Sequence, residues 1–297
     1  MDIEVLFDRN FAAPYGRLFA VSPLIFRILA ENPGPFTFRG TGVAVIGRDQ
    51  VAVIDPGPDD PEHLQALKQA LAGRHVTHIL VTHTHRDHSP AAMHVKRWTG
   101  APAYGFGPHG NDSTRIIEEG ADREFVPDIR LRDGDIIEGN GFTFEAVHTP
   151  GHTSNHICYA LKEERALFSG DHVMGWSTTV VAPPDGDMAA YMNSLEKLLR
   201  RDEEIYWPTH GGPIRNPKTF VSALLTHRRS RETEILAALR DGCHRIPEIA
   251  GRVYHGLDPR LIPAAELNIF AHLLKLVQEA RVVAEGKGLS ADYAISR

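Results

Sequence analysis

His83-Thr84-His85-Arg86-Asp87-His88 is the segment that most narrows what this chain can become. Four metal-capable side chains fall within six residues, directly after the apolar run Ile79–Thr82, so a strand end delivers them together into one loop. Imidazoles with few carboxylates suit a zinc-like cation better than a hard, oxygen-seeking one. A solvated His-rich loop is the competing reading, and the density of the cluster disfavours it. Histidine is also the compositional anomaly: 17 residues, against 13 Phe, 7 Tyr and 3 Trp.

Three other segments repeat the placement of a metal-capable residue at the end of an apolar strand beside small residues. They are Val147-His148-Thr149-Pro150-Gly151-His152, Phe168-Ser169-Gly170-Asp171-His172 and Trp207-Pro208-Thr209-His210-Gly211. Each is weak alone, because a glycine-flanked His at a strand end is most often part of a turn.

The organisation between these segments is layered α/β. Val43–Ile46 and Val51–Ile54 read as a hairpin ending at Asp55-Pro56-Gly57. Pro61 opens a helix with Leu64, Leu67 and Leu71 on one face, His78–Val81 is β-like, Ala91–Trp98 is helical up to Gly100, and Ala103–Phe106 is a strand. From Asp128 the signal is strand after strand, Ile129–Leu131, Ile136–Ile137, Phe142–Val147, His156–Leu161 and Ala166–Phe168, which predicts a second sheet. Helical spacing returns from Met188 to Leu199 and from Lys218 to Arg240. Helices at Pro247–Tyr254 and Ala264–Glu279, then a hairpin within Val282–Ser296, outline a small winged-helix unit. A length of 297 residues fits two domains, expected at 1–216 and 217–297.

Composition excludes several classes. Hydrophobic residues at 42% and charged residues at 24% are those of a globular protein. A net charge of −6 supplies no global attraction to nucleic acid or to anionic lipid. No apolar run approaches a bilayer span, since Val21–Ala30 is short and broken by Arg27. Cys158 and Cys243 form no CxxC pair, and Asp2, Glu4 and Asp8 suit neither a secretory signal nor a transit peptide. A cytoplasmic location is expected.

Taken in order, the four segments resemble the metallo-β-lactamase superfamily from about Thr41 to His210. The resemblance implies an αββα sandwich and two metals, zinc first, with iron or manganese open. Carried over by position, His83, His85 and His152 would hold the first metal, Asp87, His88 and His210 the second, and Asp171 would bridge them. Asp87 and Asp171 are thus also the candidate catalytic residues. Asp at position 171, together with the missing export signal, disfavours antibiotic hydrolysis and resembles glyoxalase II and the ribonucleases of the superfamily. Asn32–Thr37, Ser177–Val180, Tyr191–Leu195 and His227–Glu232 resemble the β-lactamase-like protein 2 group, which adds a C-terminal winged helix and includes a single-strand-selective endoribonuclease. Thr209 departs from that group, which often has Gly there.

Two nearby cations can bring a bridging water towards neutral pKa and stabilise both the attacking and the leaving oxygen. The expected activity is therefore attack by zinc-bound hydroxide on an ester, thioester or phosphodiester of a small molecule. Single-stranded RNA is an alternative substrate, because Arg215, Lys218, Arg228, Arg229 and Arg231 lie near the last ligand in sequence. Against it, residues 241–297 balance seven basic against seven acidic side chains, which suits packing or dimerisation better than a nucleic-acid footprint. An iron-dependent oxidoreductase of the same fold and a non-catalytic RNA-binding scaffold are further alternatives; a flavodiiron enzyme is disfavoured by His85 and by the length. Substrate choice is expected in the loops Gly105–Gly120 and Met174–Asp187. His148, His156 and His172 are candidates for orienting ligands or for proton donation. The general acid and any homo-oligomer are left open.

Overall fold

The computed structural model describes residues 5–110 and 120–296. Its elements run β1 (Phe19–Ala20), β2 (Ile25–Leu29), β3 (Gly42–Gly47), β4 (Gln50–Ile54), α1 (Pro61–Leu71), β5 (His75–Leu80), α2 (Ala91–Thr99), β6 (Ala103–Gly105) and β7 (Ile129–Arg130). There follow β8 (Ile136–Gly139), β9 (Phe142–His148), β10 (Ile157–Leu161), β11 (Ala166–Gly170), α3 (Met188–Leu199), β12 (Ile205–Pro208), α4 (Pro217–Arg240), α5 (Ile246–Val253), α6 (Ile262–Gln278), β13 (Val282–Glu285) and β14 (Asp292–Ile295).

One sheet has the order β1-β2-β3-β4-β5-β6-β7, the second β12-β11-β10-β9-β8, and β13-β14 form a separate hairpin. The period-two rule of strands explains how these pack. Val43, Val45, Val51 and Val53 point to one face of the first sheet and meet Leu67 of α1 and Val95 of α2. Ala44, Ile46, Ala52 and Ile54 point to the other face and meet Phe144, Tyr159 and Phe168 of the second sheet. On the far side of that sheet, Cys158, Ala160 and Leu167 pack with Leu195 and Leu198 of α3 and Val221 of α4. Both sheets are buried on both faces, which is why β3, β4 and β10 read as continuous apolar runs rather than alternating ones.

Helix α4 serves two cores. Its first half, with Val221 and Leu224, joins the layer under the second sheet, and its second half, with Ile235 and Leu239, packs with Ile249, Ile269, Leu273 and Tyr293. Helices α5 and α6 with the β13-β14 hairpin give the expected winged helix.

Two expectations are corrected. Ile129–Arg130 does not open the second sheet; it pairs parallel to β6 and closes the edge of the first. A strand of two exposed residues has no buried face to dictate its sheet, so the backbone bond from Leu131 N to Gly105 O decides. The chain also enters the first sheet earlier than the pattern indicates, through β1 and β2. Arg27 masks β2 in the sequence, yet only 3% of it is exposed.

Candidate metal centre

All seven residues singled out by position converge at one end of the inter-sheet core, and none is more than 9% exposed. The first sheet supplies His83, His85, Asp87 and His88 from the loop after β5. The second supplies His152 after β9, Asp171 after β11 and His210 after β12. Gly151 permits the turn that presents His152: its φ is +138°, and a Cβ there would lie 2.2 Å from the Tyr191 Cα.

The donor atoms form two groups. In one, His85 Nδ1 lies 3.0 Å from His83 Nε2 and 3.2 Å from His152 Nε2. In the other, Asp87 Oδ2 lies 3.0 Å from His210 Nε2 and 3.3 Å from His88 Nε2. Asp171 Oδ2 stands 3.5 Å from both of these nitrogens and also groups with His83 and His88. Ligands held at about 2.0–2.1 Å by one tetrahedral zinc lie roughly 3.4 Å apart, so these spacings are those of coordination edges.

The far ring nitrogens show which atoms carry protons. His152 Nδ1 donates to Val180 O at 2.7 Å, His210 Nδ1 to Gly40 O at 3.2 Å and His88 Nδ1 to Asp55 Oδ2 at 2.9 Å. Thr82 Oγ1 donates to Asp55, which leaves it to accept from His83 Nδ1 at 3.1 Å. Each bond leaves the opposite nitrogen bare and aimed inward, the tautomer a metal ligand needs. His88 Nε2 and Asp171 Oδ1 are buried without a hydrogen-bond partner, a costly arrangement that a bound cation relieves.

Electrostatics divide the cluster in the same way. Burial, then the neighbouring imidazoles, pushes His83 and His85 well below the usual histidine range. Burial also opposes charge on His88 and His210, but Asp87 and Asp171 outweigh it, raising His88 well above its ordinary value and His210 to about 10. Both carboxyls are held below the carboxylate range by those imidazoles despite burial. One half is built from neutral donors and the other carries charge, a donor set that fits divalent metal.

Two supporting residues escaped the sequence reading. Asp55 accepts four bonds, from Thr82 N, Thr82 Oγ1, Thr209 Oγ1 and His88 Nδ1, at 2.7–2.9 Å. Its φ of +47° is uncommon for a non-glycine residue, and the only sequence trace is an Asp-Pro-Gly at a strand end. Thr209, the departure from the group pattern, therefore adds a donor to Asp55. Arg27 reaches across the sheet edge and donates to Gly211 O at 3.1 Å, Pro208 O at 3.0 Å and Thr209 O at 3.2 Å, bracing the loop that bears His210.

The remaining candidates are placed elsewhere. His156 Nε2 accepts from Asp171 N at 3.2 Å and its Nδ1 meets Thr149 Oγ1, so it orients the Asp171 turn. His148 stacks on Phe106 at 3.9 Å. His172 is fully buried and lowered to about 3, chiefly by desolvation, so it is neutral at pH 7. The basic run is dispersed: Arg228 is buried, while Lys218, Arg229 and Arg231 pair with Asp202, Glu196 and Glu234. Of the loop Gly105–Gly120, residues 111–119 lie outside the described residues.

Beside the cluster lies a cleft of about 400 Å³ shared with the C-terminal helices and lined by Phe36, Phe38, Trp176, Val180, Leu261 and Asn268 among others. Phe38 and Trp176 stack at 4.9 Å and 13°. The Val180 carbonyl binds His152, so the cleft wall and the ligand cluster are one structure.

Comparison with known proteins agrees with this architecture. Residues 37–210 match the Metallo-beta-lactamase superfamily, and residues 246–290 match the Beta-lactamase associated winged helix domain. An atrochrysone carboxyl ACP thioesterase of Pseudocercospora fijiensis is 30% identical over 90% of this chain and 79% of its own length. A beta-lactamase-like protein 2 homolog of Caenorhabditis elegans is 34% identical over 74% of this chain and 72% of its own. The crystal structure of a beta-lactamase domain protein from Burkholderia ambifaria superposes with a TM-score of 0.81 at 22% identity, covering 97% of this chain and 96% of that one.

Proposed function

The chain belongs to the metallo-beta-lactamase superfamily, and on that premise we propose that it is a hydrolase of small-molecule thioesters that works with two zinc ions. The observation that carries this reading is the convergence of seven buried donors in two groups at coordination spacing. His83 Nε2, His85 Nδ1 and His152 Nε2 would hold one ion, Asp87 Oδ2, His88 Nε2 and His210 Nε2 the other, with Asp171 Oδ2 between them. When bound, such a pair supplies acidified water and positive charge for the developing oxyanion.

The chain's own residues narrow the substrate. A thiol leaving group has a pKa near 8.5, so it departs as thiolate without a proton donor, whereas an amide or alkyl phosphodiester requires one. Among the described residues, His148, His156 and His172 are engaged or neutral as described and supply no acid. The cleft offers Phe36, Phe38, Trp176 and Leu261 to an apolar or aromatic acyl group, with Arg9, Asp258 and Arg260 also in its lining. The name of the Pseudocercospora fijiensis relative, an acyl-carrier-protein thioesterase, supports the same class. Among the described residues, Arg228 is buried and Arg229 and Arg231 are paired with Glu196 and Glu234, which disfavours RNA.

The test is a panel of short-chain and aromatic acyl thioesters, an oxygen ester, a phosphodiester and single-stranded RNA, assayed on metal-stripped and zinc-restored protein. Turnover is expected with zinc, best on bulky acyl thioesters, and lower by at least ~10²-fold in Asp171→Ala. RNA cleavage without thioester turnover, or one iron per chain with oxygen uptake, refutes the reading.

A further inference from the structure

We propose that Asn268, on helix α6 of the C-terminal unit, is a positioning residue for the metal ligand His152, acting through the peptide group between Val180 and Val181. The proposal rests on the cluster being a metal centre. The carbonyl of that peptide accepts from His152 Nδ1 at 2.7 Å, and its N–H donates to Asn268 Oδ1 at 3.1 Å. A single rigid, planar unit thus has the ligand at one end and a side chain from outside the two-sheet layer at the other.

Segment 179–181 belongs to no strand, so side chains anchor its backbone. Asn268 is 7% exposed and fixed by donating from Nδ2 to Ala264 O at 3.1 Å, one turn back on α6. Arg228 of α4, 2% exposed, donates to Thr179 O and lies 3.5 Å from Asn268 Oδ1, with its guanidinium 5.1 Å over the Tyr191 ring. Thr179 Oγ1 in turn donates to the backbone carbonyl of Asp171 at 2.7 Å. Neither Asn268 nor Arg228 touches a ligand directly.

An N–H that donates well makes its own carbonyl a better acceptor, so Asn268 strengthens the bond that fixes the His152 ring and tautomer. Removing the acceptor leaves Val181 N–H unpaired in the core, frees the peptide to rotate and loosens His152. Loss of a direct partner of a metal-binding His weakens the metal by ~10–100-fold; one bond further out, about 10-fold is expected for one of the two ions.

The experiment measures Zn²⁺ binding to the full chain by competition with a chromophoric chelator, alongside the ¹⁵N imidazole spectrum of His152. Asn268→Leu is expected to weaken one zinc dissociation constant about 10-fold and to broaden or shift the His152 Nδ1–H signal. Asn268→Asp keeps the acceptor oxygen towards Val181 N but loses the Nδ2 donor to Ala264 O, and is expected to lie between wild type and Asn268→Leu in both readouts. Leu274→Ala, on the exposed side of α6, changes neither. If Asn268→Leu does not fold, Asn268→Ser, which shortens the acceptor, carries the comparison. Folded Asn268→Leu or Asn268→Ser with both constants within about twofold of wild type overturns the coupling. Asn268→Asp as weak as Asn268→Leu overturns the role of the acceptor. Wild-type protein that takes up no zinc overturns the metal centre and this proposal together.

Discussion

Asp55→Asn exchanges a carboxylate oxygen for an NH₂ group of nearly the same size. In the native site Asp55 Oδ1 accepts from Thr82 N, while Oδ2 accepts from Thr82 Oγ1, Thr209 Oγ1 and His88 Nδ1. Asparagine keeps the first bond. At the second position its N–H groups face two hydroxyls, which rotate to accept, and a ring N–H, which cannot. The imidazole regains a bond only by moving its proton to Nε2, the atom 3.3 Å from Asp87 Oδ2 and 3.5 Å from Asp171 Oδ2. A proton there removes the lone pair that would bind metal. The fold has alternative pairings for every group, so the stability loss is about 1–2 kcal/mol. Zinc affinity at the Asp87, His88, His210 group falls by ~10–100-fold while the three-histidine group is spared. Chelator competition reads the two constants, and unchanged constants would refute the reasoning.

Two further perturbations probe features outside the seven-residue cluster. Arg27→Leu leaves the carbonyls of Pro208, Thr209 and Gly211 without their buried cation, and a loss of about 3 kcal/mol is expected in urea unfolding; a midpoint indistinguishable from wild type contradicts the bracing role. His227 on α4 is lowered to about 4, first by burial and then by Arg228, Arg231 and His272. Between pH 6.5 and 4 the unfolded chain therefore takes a proton that the folded chain refuses, and stability falls as pH drops through that window. The full shift discounted for partial exposure gives about 2 kcal/mol, which His227→Gln removes; equal pH slopes for the two proteins exclude it.

What could be read from the sequence depended on how local each signal was. Strands β3, β4, β10 and β11 announce themselves because both faces are buried, and β9 because its buried residues alternate with half-buried ones. The residues of the cluster announce themselves because they follow the ends of such runs. Strand β2 was hidden by Arg27, whose three shortest bonds reach acceptors more than 180 residues away. Asp55 looked like turn punctuation because three of its four donors come from other strand ends. Arg228 read as one of a basic run on a helix face, yet it points inward to a backbone carbonyl of segment 179–181. Strand β7 was assigned to the wrong sheet because two exposed residues carry no facial pattern.

These misses share a cause that bears on how the site is held. The motif residues specify which atoms can meet a cation, but a cluster of bare nitrogens and carboxylate oxygens is mutually repulsive or unsatisfied until one is bound. Something else must keep it from collapsing or opening. Here that duty falls on buried polar side chains, each arriving from a different direction: Asp55 at the end of β4, Arg27 from β2, and Asn268 with Arg228 from the C-terminal helices. Their bonds go to backbone, to hydroxyls and other supporting side chains, and to the far nitrogen of His88. Such contacts fix ring orientation without competing for the lone pairs, which permits three parts of the fold to converge on one centre. It also predicts that substitutions at these four positions weaken metal binding as well as folding, whereas apolar core substitutions such as Leu67→Ala cost folding and leave metal binding unchanged.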